Sequence, residues 1–109
     1  MDKELIMQQE TANDGQTVYL FYDDMAGMYL AFGLSAYYVT MVVNPIISYS
    51  TALGMPVALL SKGCVLSLRQ SLTKVDHVQK DHYVFRMRTK VGDEGYHRWC
   101  QDNSLKLKV

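Results

Sequence analysis

Residues 25–36 read Met-Ala-Gly-Met-Tyr-Leu-Ala-Phe-Gly-Leu-Ser-Ala, and the change of period at Gly33 decides how the chain folds. Met28 to Phe32 is apolar and aromatic over strand length, the composition that suits a pleated, half-buried surface. From Gly33 onward, Leu34, Tyr37, Tyr38, Met41 and Val42 recur at helical spacing. Asn44-Pro45 ends that helix, because proline disfavours helical geometry in the residue before it. Taken instead as one apolar rod, Met25–Val43 would approach the length of a membrane span. Gly27, Gly33, Ser35, Thr40 and three tyrosines dilute it, and no Lys or Arg anchors either end. The sequence therefore predicts a strand and a helix, and no membrane partner.

Working outward, Thr17–Tyr22 is a β-branched and aromatic run that reads as a strand closed by Asp23-Asp24. Residues 1–16 read as a flexible arm, frayed or shortly helical, ending in the turn signal Asn13-Asp14-Gly15. Downstream, Ile46–Ser50 and Met55–Leu60 read as two strands joined through Ala52-Leu53-Gly54. Ser61 is placed to cap a second helix from about Gly63 to Gln79, with Val65, Leu68, Leu72 and Val75 on one face. His82–Lys90 alternates as a strand, Tyr83, Phe85 and Met87 pointing one way and Arg86, Arg88 and Lys90 the other. Leu105–Val109 reads as an edge strand. The order β-β-α-β-β-α-β predicts a single α/β domain of the α+β kind over 17–90, a mixed sheet with helices packed on it, followed by a C-terminal extension over 91–109. No internal repeat is evident.

Composition narrows the function. Cys64 and Cys100 fit no metal-ligand or redox spacing and read as reduced thiols. Asp23 and Asp24 are neighbours that a strand would send to opposite faces, so they read as turn aspartates rather than a two-metal pair. Asp76-His77 and Asp81-His82 repeat at a spacing that no helix face shares, and His97 with Cys100 lacks a second ligand pair. The expectation is a non-enzymatic domain with no catalytic residues, metal or cofactor. The N-terminus lacks the basic and apolar regions of a signal peptide, which predicts a cytoplasmic protein.

The formal charge is zero but unevenly spread. Residues 1–60 set Lys3 against six acids, and residues 61–109 set ten bases against five. Arg86, Arg88 and Lys90 on one strand face are candidates for phosphate contacts, or for a charged face that keeps a sheet edge soluble.

The quoted stretch also resembles the signature of the first, mismatch-reading domain of the DNA mismatch-repair protein MutS. The family pattern agrees at Met25, Tyr29, Phe32, Gly33 and Ala36, and Leu53-Gly-Met-Pro56 falls near a second family motif. The likeness covers residues 17–90 and implies the same order of strands and helices. The family's base-stacking Phe and base-bonding Glu fall at Met28 and Leu30 here, so the mismatch reader is missing. Together, resemblance and charge imply weak nucleic-acid binding, or a place in a nucleic-acid-handling assembly, with Met28 and Tyr29 meeting bases and Arg86, Arg88 and Lys90 holding phosphates. The alternative is a protein–protein or homo-oligomerisation module, suggested by the tyrosine-rich neutral centre.

Overall fold

A computed structural model describes residues 3–79 and 82–107, with side chains for all of these except 73–79 and 104–107. The elements in order are α1 (Lys3–Thr11), β1 (Thr17–Asp23), β2 (Met28–Phe32), α2 (Gly33–Thr40), β3 (Ile46–Ser50), β4 (Met55–Leu60), α3 (Lys62–Ser71), β5 (Thr73–Gln79), β6 (His82–Arg86) and α4 (Tyr96–Leu107). The strands form one sheet in the order β3-β4-β2-β1-β6-β5. The α+β architecture is the one the sequence predicts, but the sheet expected to be mixed is antiparallel at every described strand pair, because each hairpin joins neighbours directly. Among the described residues no helix is long and apolar enough to cross a membrane.

After α1 the chain is three ββα units in succession, although the sequence shows no evident repeat. The first two units are related by an offset of 27 residues. Tyr22, Gly27, Met28 and Ala31 of the first correspond to Tyr49, Gly54, Met55 and Ala58 of the second. Their hairpins are built alike. Gly27 donates its N–H to the Asp23 carbonyl at 2.8 Å, and Gly54 does the same to Ser50 at 2.8 Å. Both glycines have positive φ, 64° and 67°. In each loop the first side chain takes a backbone N–H, Asp23 from Met25 and Ser50 from Leu53. The two units meet at β2 and β4, where Ala31 faces Ala58, flanked by Leu30 opposite Leu59 and Phe32 opposite Val57. Shifting either flanking pair by the offset generates the other, so a local two-fold passes through the alanines. The alternation pattern hides this repeat, because four identities in a ten-residue frame lie among unlike apolar residues.

The core lies mainly on one face of the sheet. Val18, Leu20, Ala31, Ala58, Leu60 and Phe85 pack there against Ala36, Tyr38 and Val39 of α2 and Val65 and Leu68 of α3. The other face holds a smaller cluster in which Ile6 of α1 covers Leu30, Phe32 and Val57. Residues 3–11 are thus a packed helix rather than a free arm, with Ile6 only 1% exposed.

Two further expectations are corrected. The helix expected to reach Gln79 ends at Ser71, and Leu72 is already extended (φ −116°, ψ 158°). The helical spacing of Leu68, Leu72 and Val75 competes with the period-two placing of Thr73 and Val75, and pairing of β5 with β6 decides for the strand. The edge strand expected at Leu105–Val109 is helical as far as Leu107, as the end of α4. Its last two residues lie outside the described ones. Alternating Leu and Lys are good helix formers when a helix already propagates into them.

Candidate nucleic-acid interface

The structure separates the residues expected to act together. β1 pairs Asp23 with Met28 at one end and Thr17 with Arg86 at the other, six residues apart or about 20 Å along the strand. Tyr29 lies on the sheet face that carries α2 and α3, while alternation puts Met28 and Arg86 on the opposite face. The three bases are exposed as expected, but two are engaged. Arg86 pairs with Asp14 at 3.6 Å. Arg88 donates from Nε to the Ser71 carbonyl at 3.1 Å, at the C-terminus of α3. The strand expected to reach Lys90 ends at Arg86, so Arg88 and Lys90 lie beyond it and the three bases do not share one strand face; Lys90 stands beside Gly15. Met28 is half-buried, and Leu30, at the family's carboxylate position, is buried beneath α1.

Tyr29 instead anchors a different cleft. It is walled by Tyr29 of β2, Tyr83 of β6, and Lys62, Val65, Leu66 and Arg69 of α3, and encloses about 210 Å³. The helix contributes i, i+3, i+4 and i+7, a single face. Val65 closes the floor, and Leu66 stands 57% exposed at the rim. Ser61 sets where this face begins, because its Oγ accepts the Cys64 N–H at 3.3 Å and starts the helix one residue before Gly63. Strand alternation puts Tyr22, Tyr29 and Tyr83 on one side of the sheet. The Tyr22 and Tyr29 rings are 4.9 Å apart and the Tyr29 and Tyr83 rings 5.7 Å. The Arg69 guanidinium stands over Tyr83 at 6.0 Å from the ring centroid, at the outer reach of a cation–π contact. Burial, and then the neighbouring Tyr83, raise the Tyr29 phenol above its ordinary value. It therefore stays a neutral ring and hydrogen-bond donor at physiological pH.

Among the described side chains, no strand acid lines this cleft. Asp23 falls on the opposite sheet face, with its Oδ1 taken by the Met25 N–H at 3.1 Å. The cations instead line α3: Lys62 in its first turn, Arg69 in its last, and Arg88 docked on Ser71 just beyond. Ten helical residues at 1.5 Å each make this track about 15 Å long. In the sequence Lys62 and Arg69 fall off the apolar stripe of Val65, Leu68 and Leu72 and read only as solvated charges. That Tyr83 joins them depends on the pairing of β6 with β1, which no local pattern reports.

A second polar centre was invisible in the sequence. Glu10 is 8% exposed. It accepts the Ser35 N–H at 3.0 Å on one oxygen and the Ser35 hydroxyl at 2.6 Å on the other. Ser35 Oγ in turn accepts the Tyr19 N–H at 3.0 Å. Phe32, the N-cap of α2, supplies no side-chain bond, so Glu10 caps that helix from another element. Burial pushes its carboxyl up to about 7, against a smaller lowering by the Ser35 bonds. This group is engaged in holding α1, α2 and β1 together.

Asp93, Tyr96 and His97 line one cavity of about 250 Å³ with Glu10 and Thr11. Among the described residues no group of three His, Cys, Asp or Glu side chains is assembled that could hold a metal ion. Cys64 and Cys100 are free thiols, and burial raises Cys100 above its ordinary value. His82 is buried and stacks on Phe21 at 4.6 Å. The side chains of Asp76 and His77, and the whole of Asp81, lie outside the described residues.

No protein-family model matches the chain, and no curated protein or solved structure matches it either. The likeness to the first MutS domain thus rests on the residues quoted for it, and these comparisons add no support.

Proposed function

We propose that this α+β domain is a non-enzymatic binding module for a short run of single-stranded nucleic acid. One or two bases stack on Tyr29 and Tyr83, and the backbone phosphates follow Lys62, Arg69 and Arg88 along α3. The observation that carries this reading is the cleft itself, with two aromatic walls and two cations on one helix face. Aromatic faces take any base, and a positive track beside them holds the backbone without reading sequence. Tyr29 and Arg88 are kept from the sequence reading, while Tyr83, Lys62 and Arg69 replace Met28, Arg86 and Lys90.

The test is an anisotropy titration of labelled oligothymidylate against salt. Three phosphate contacts predict a log–log salt slope of about −2. Tyr83→Leu is expected to weaken binding by about tenfold or more, within the roughly 1–3 kcal/mol of one stacked base. Arg69→Gln is expected to flatten the slope by about 0.7. No binding at low salt, or a flat slope, removes the reading.

A further inference from the structure

The local two-fold through Ala31 and Ala58 makes β1 and β3 equivalent outer strands, and among the described residues only β1 carries a further strand, while α4 packs near β3. The outer edge of β1 carries β6, antiparallel over five residue pairs from Thr17–Arg86 to Phe21–His82. The outer edge of β3 is an end of the sheet. The two ends also differ in kind. At β5 the register with β6 shifts twice, between Lys74 and Asp76 and again before Gln79, and its sequence carries Lys74 and Asp76. Bulges and charges are what proteins use to keep an edge from pairing. β3 has neither. It runs in unbroken register with β4 over Ile46–Ser50 and lies within the uncharged region from Met25 to Ser61. It also shows large apolar side chains to solvent, Ile46 at 63% and Tyr49 at 42% exposure.

We propose that β3 pairs antiparallel with β3 of a second copy, across a two-fold at Ser48, so that two six-stranded sheets become one continuous sheet. The strand is its own complement in that register. Ser48 faces Ser48 of the other copy, Ile47 faces Tyr49, and Ile46 faces Ser50. Each face then receives pairs of matching character, an apolar–aromatic pair on one side and small or aliphatic groups on the other. The absence of charge selects the occupant. Two copies meet here without like-charge repulsion, whereas a charged peptide would find no counter-charge on the strand. The contact joins identical patches and closes on itself, so it makes dimers and not fibres.

Sedimentation equilibrium of the full chain, from low micromolar to near-millimolar concentration, tests this directly. A monomer–dimer equilibrium is expected, and a strict monomer throughout overturns the proposal. Ser48→Lys places two ammonium groups opposite one another and is expected to raise the dissociation constant by at least about tenfold. Ser48→Glu is expected to act likewise alone, and an equimolar mixture of the two variants is expected to regain the dimer. A dimer indifferent to both substitutions, or a mixture that stays monomeric while each variant melts as the parent does, places the contact elsewhere and overturns it.

Discussion

The ββα unit of residues 17–40 and that of residues 46–71 share a backbone plan but start their helices in opposite ways. In the second unit the cap is local and wet. Ser61 is exposed and accepts an N–H from three residues on. In the first unit the strand runs straight into α2 through Gly33, at φ 56°, and no side chain nearby caps the helix. The missing acceptor arrives from α1, 25 residues back, as the buried carboxylate of Glu10. The same carboxylate orients Ser35, whose oxygen then satisfies the Tyr19 N–H at the point where β2 has left the ladder. Two copies of one local fold can thus differ in whether their stability is self-contained or depends on a distant segment. The first unit gives up independence and gains a tie between α1, α2 and β1.

The largest expected effect breaks that tie. Glu10→Ala leaves the buried Ser35 N–H and hydroxyl without their acceptor, and is expected to cost about 3 kcal/mol by urea unfolding. Ser61→Ala, at the equivalent place in the other unit, is expected to cost about 1 kcal/mol, the ordinary value of an exposed cap. Equal losses at the two positions would show that the distant carboxylate is no more than a local cap.

Acid–base behaviour sharpens the same contrast. Burial raises the Glu10 carboxyl from 4.5 in the unfolded chain to about 7 in the folded one. The folded state therefore holds the proton more tightly, and Glu10 supports the fold fully below about pH 4.5. That support is lost as the pH rises through about 7, by roughly 3 kcal/mol in all. Glu10→Gln keeps an acceptor for Ser35 without the titration and is expected to flatten the stability–pH curve between those limits. Ser61→Ala is expected to leave the curve's shape unchanged. A parent protein whose stability is flat across that range would mean the carboxylate stays ionised in its site.

How much of this was legible follows from the range of the interactions. β1 to β4, both hairpin loops, Gly33 as the break and Ser61 as a cap are set by neighbours a few residues apart, and the sequence predicts them. The end of α3 was missed because Leu72 and Val75 satisfy two periods at once, and only pairing with β6 chooses between them. Glu10 reads as one acid in a polar arm, since nothing within the first 16 residues announces Ser35 as its partner. The aromatic cleft was half legible. The sequence singles out Tyr29 as a base contact, while Tyr83 joins it only through the register of β1 with its two neighbours.

The smallest effects test whether the two hairpins are as alike as their hydrogen bonds make them. An added Cβ at Gly27 or Gly54 meets nothing within 4 Å, so alanine there is strained only through its left-handed backbone. Each substitution is expected to cost about 1 kcal/mol. The two loops lie at opposite ends of the β2–β4 pair, so the double variant is expected to lose the sum within about 0.5 kcal/mol. Gly33→Ala carries the same backbone strain at φ 56° and also presses on Met55 Sδ at 3.3 Å and the Tyr96 hydroxyl at 3.4 Å. It is expected to cost about 2 kcal/mol, since crowding adds to strain. Thermal unfolding of the three variants decides the matter. Matched losses at Gly27 and Gly54 support a common hairpin design, and a difference between them above about 1 kcal/mol would mean that the shared geometry hides unlike environments.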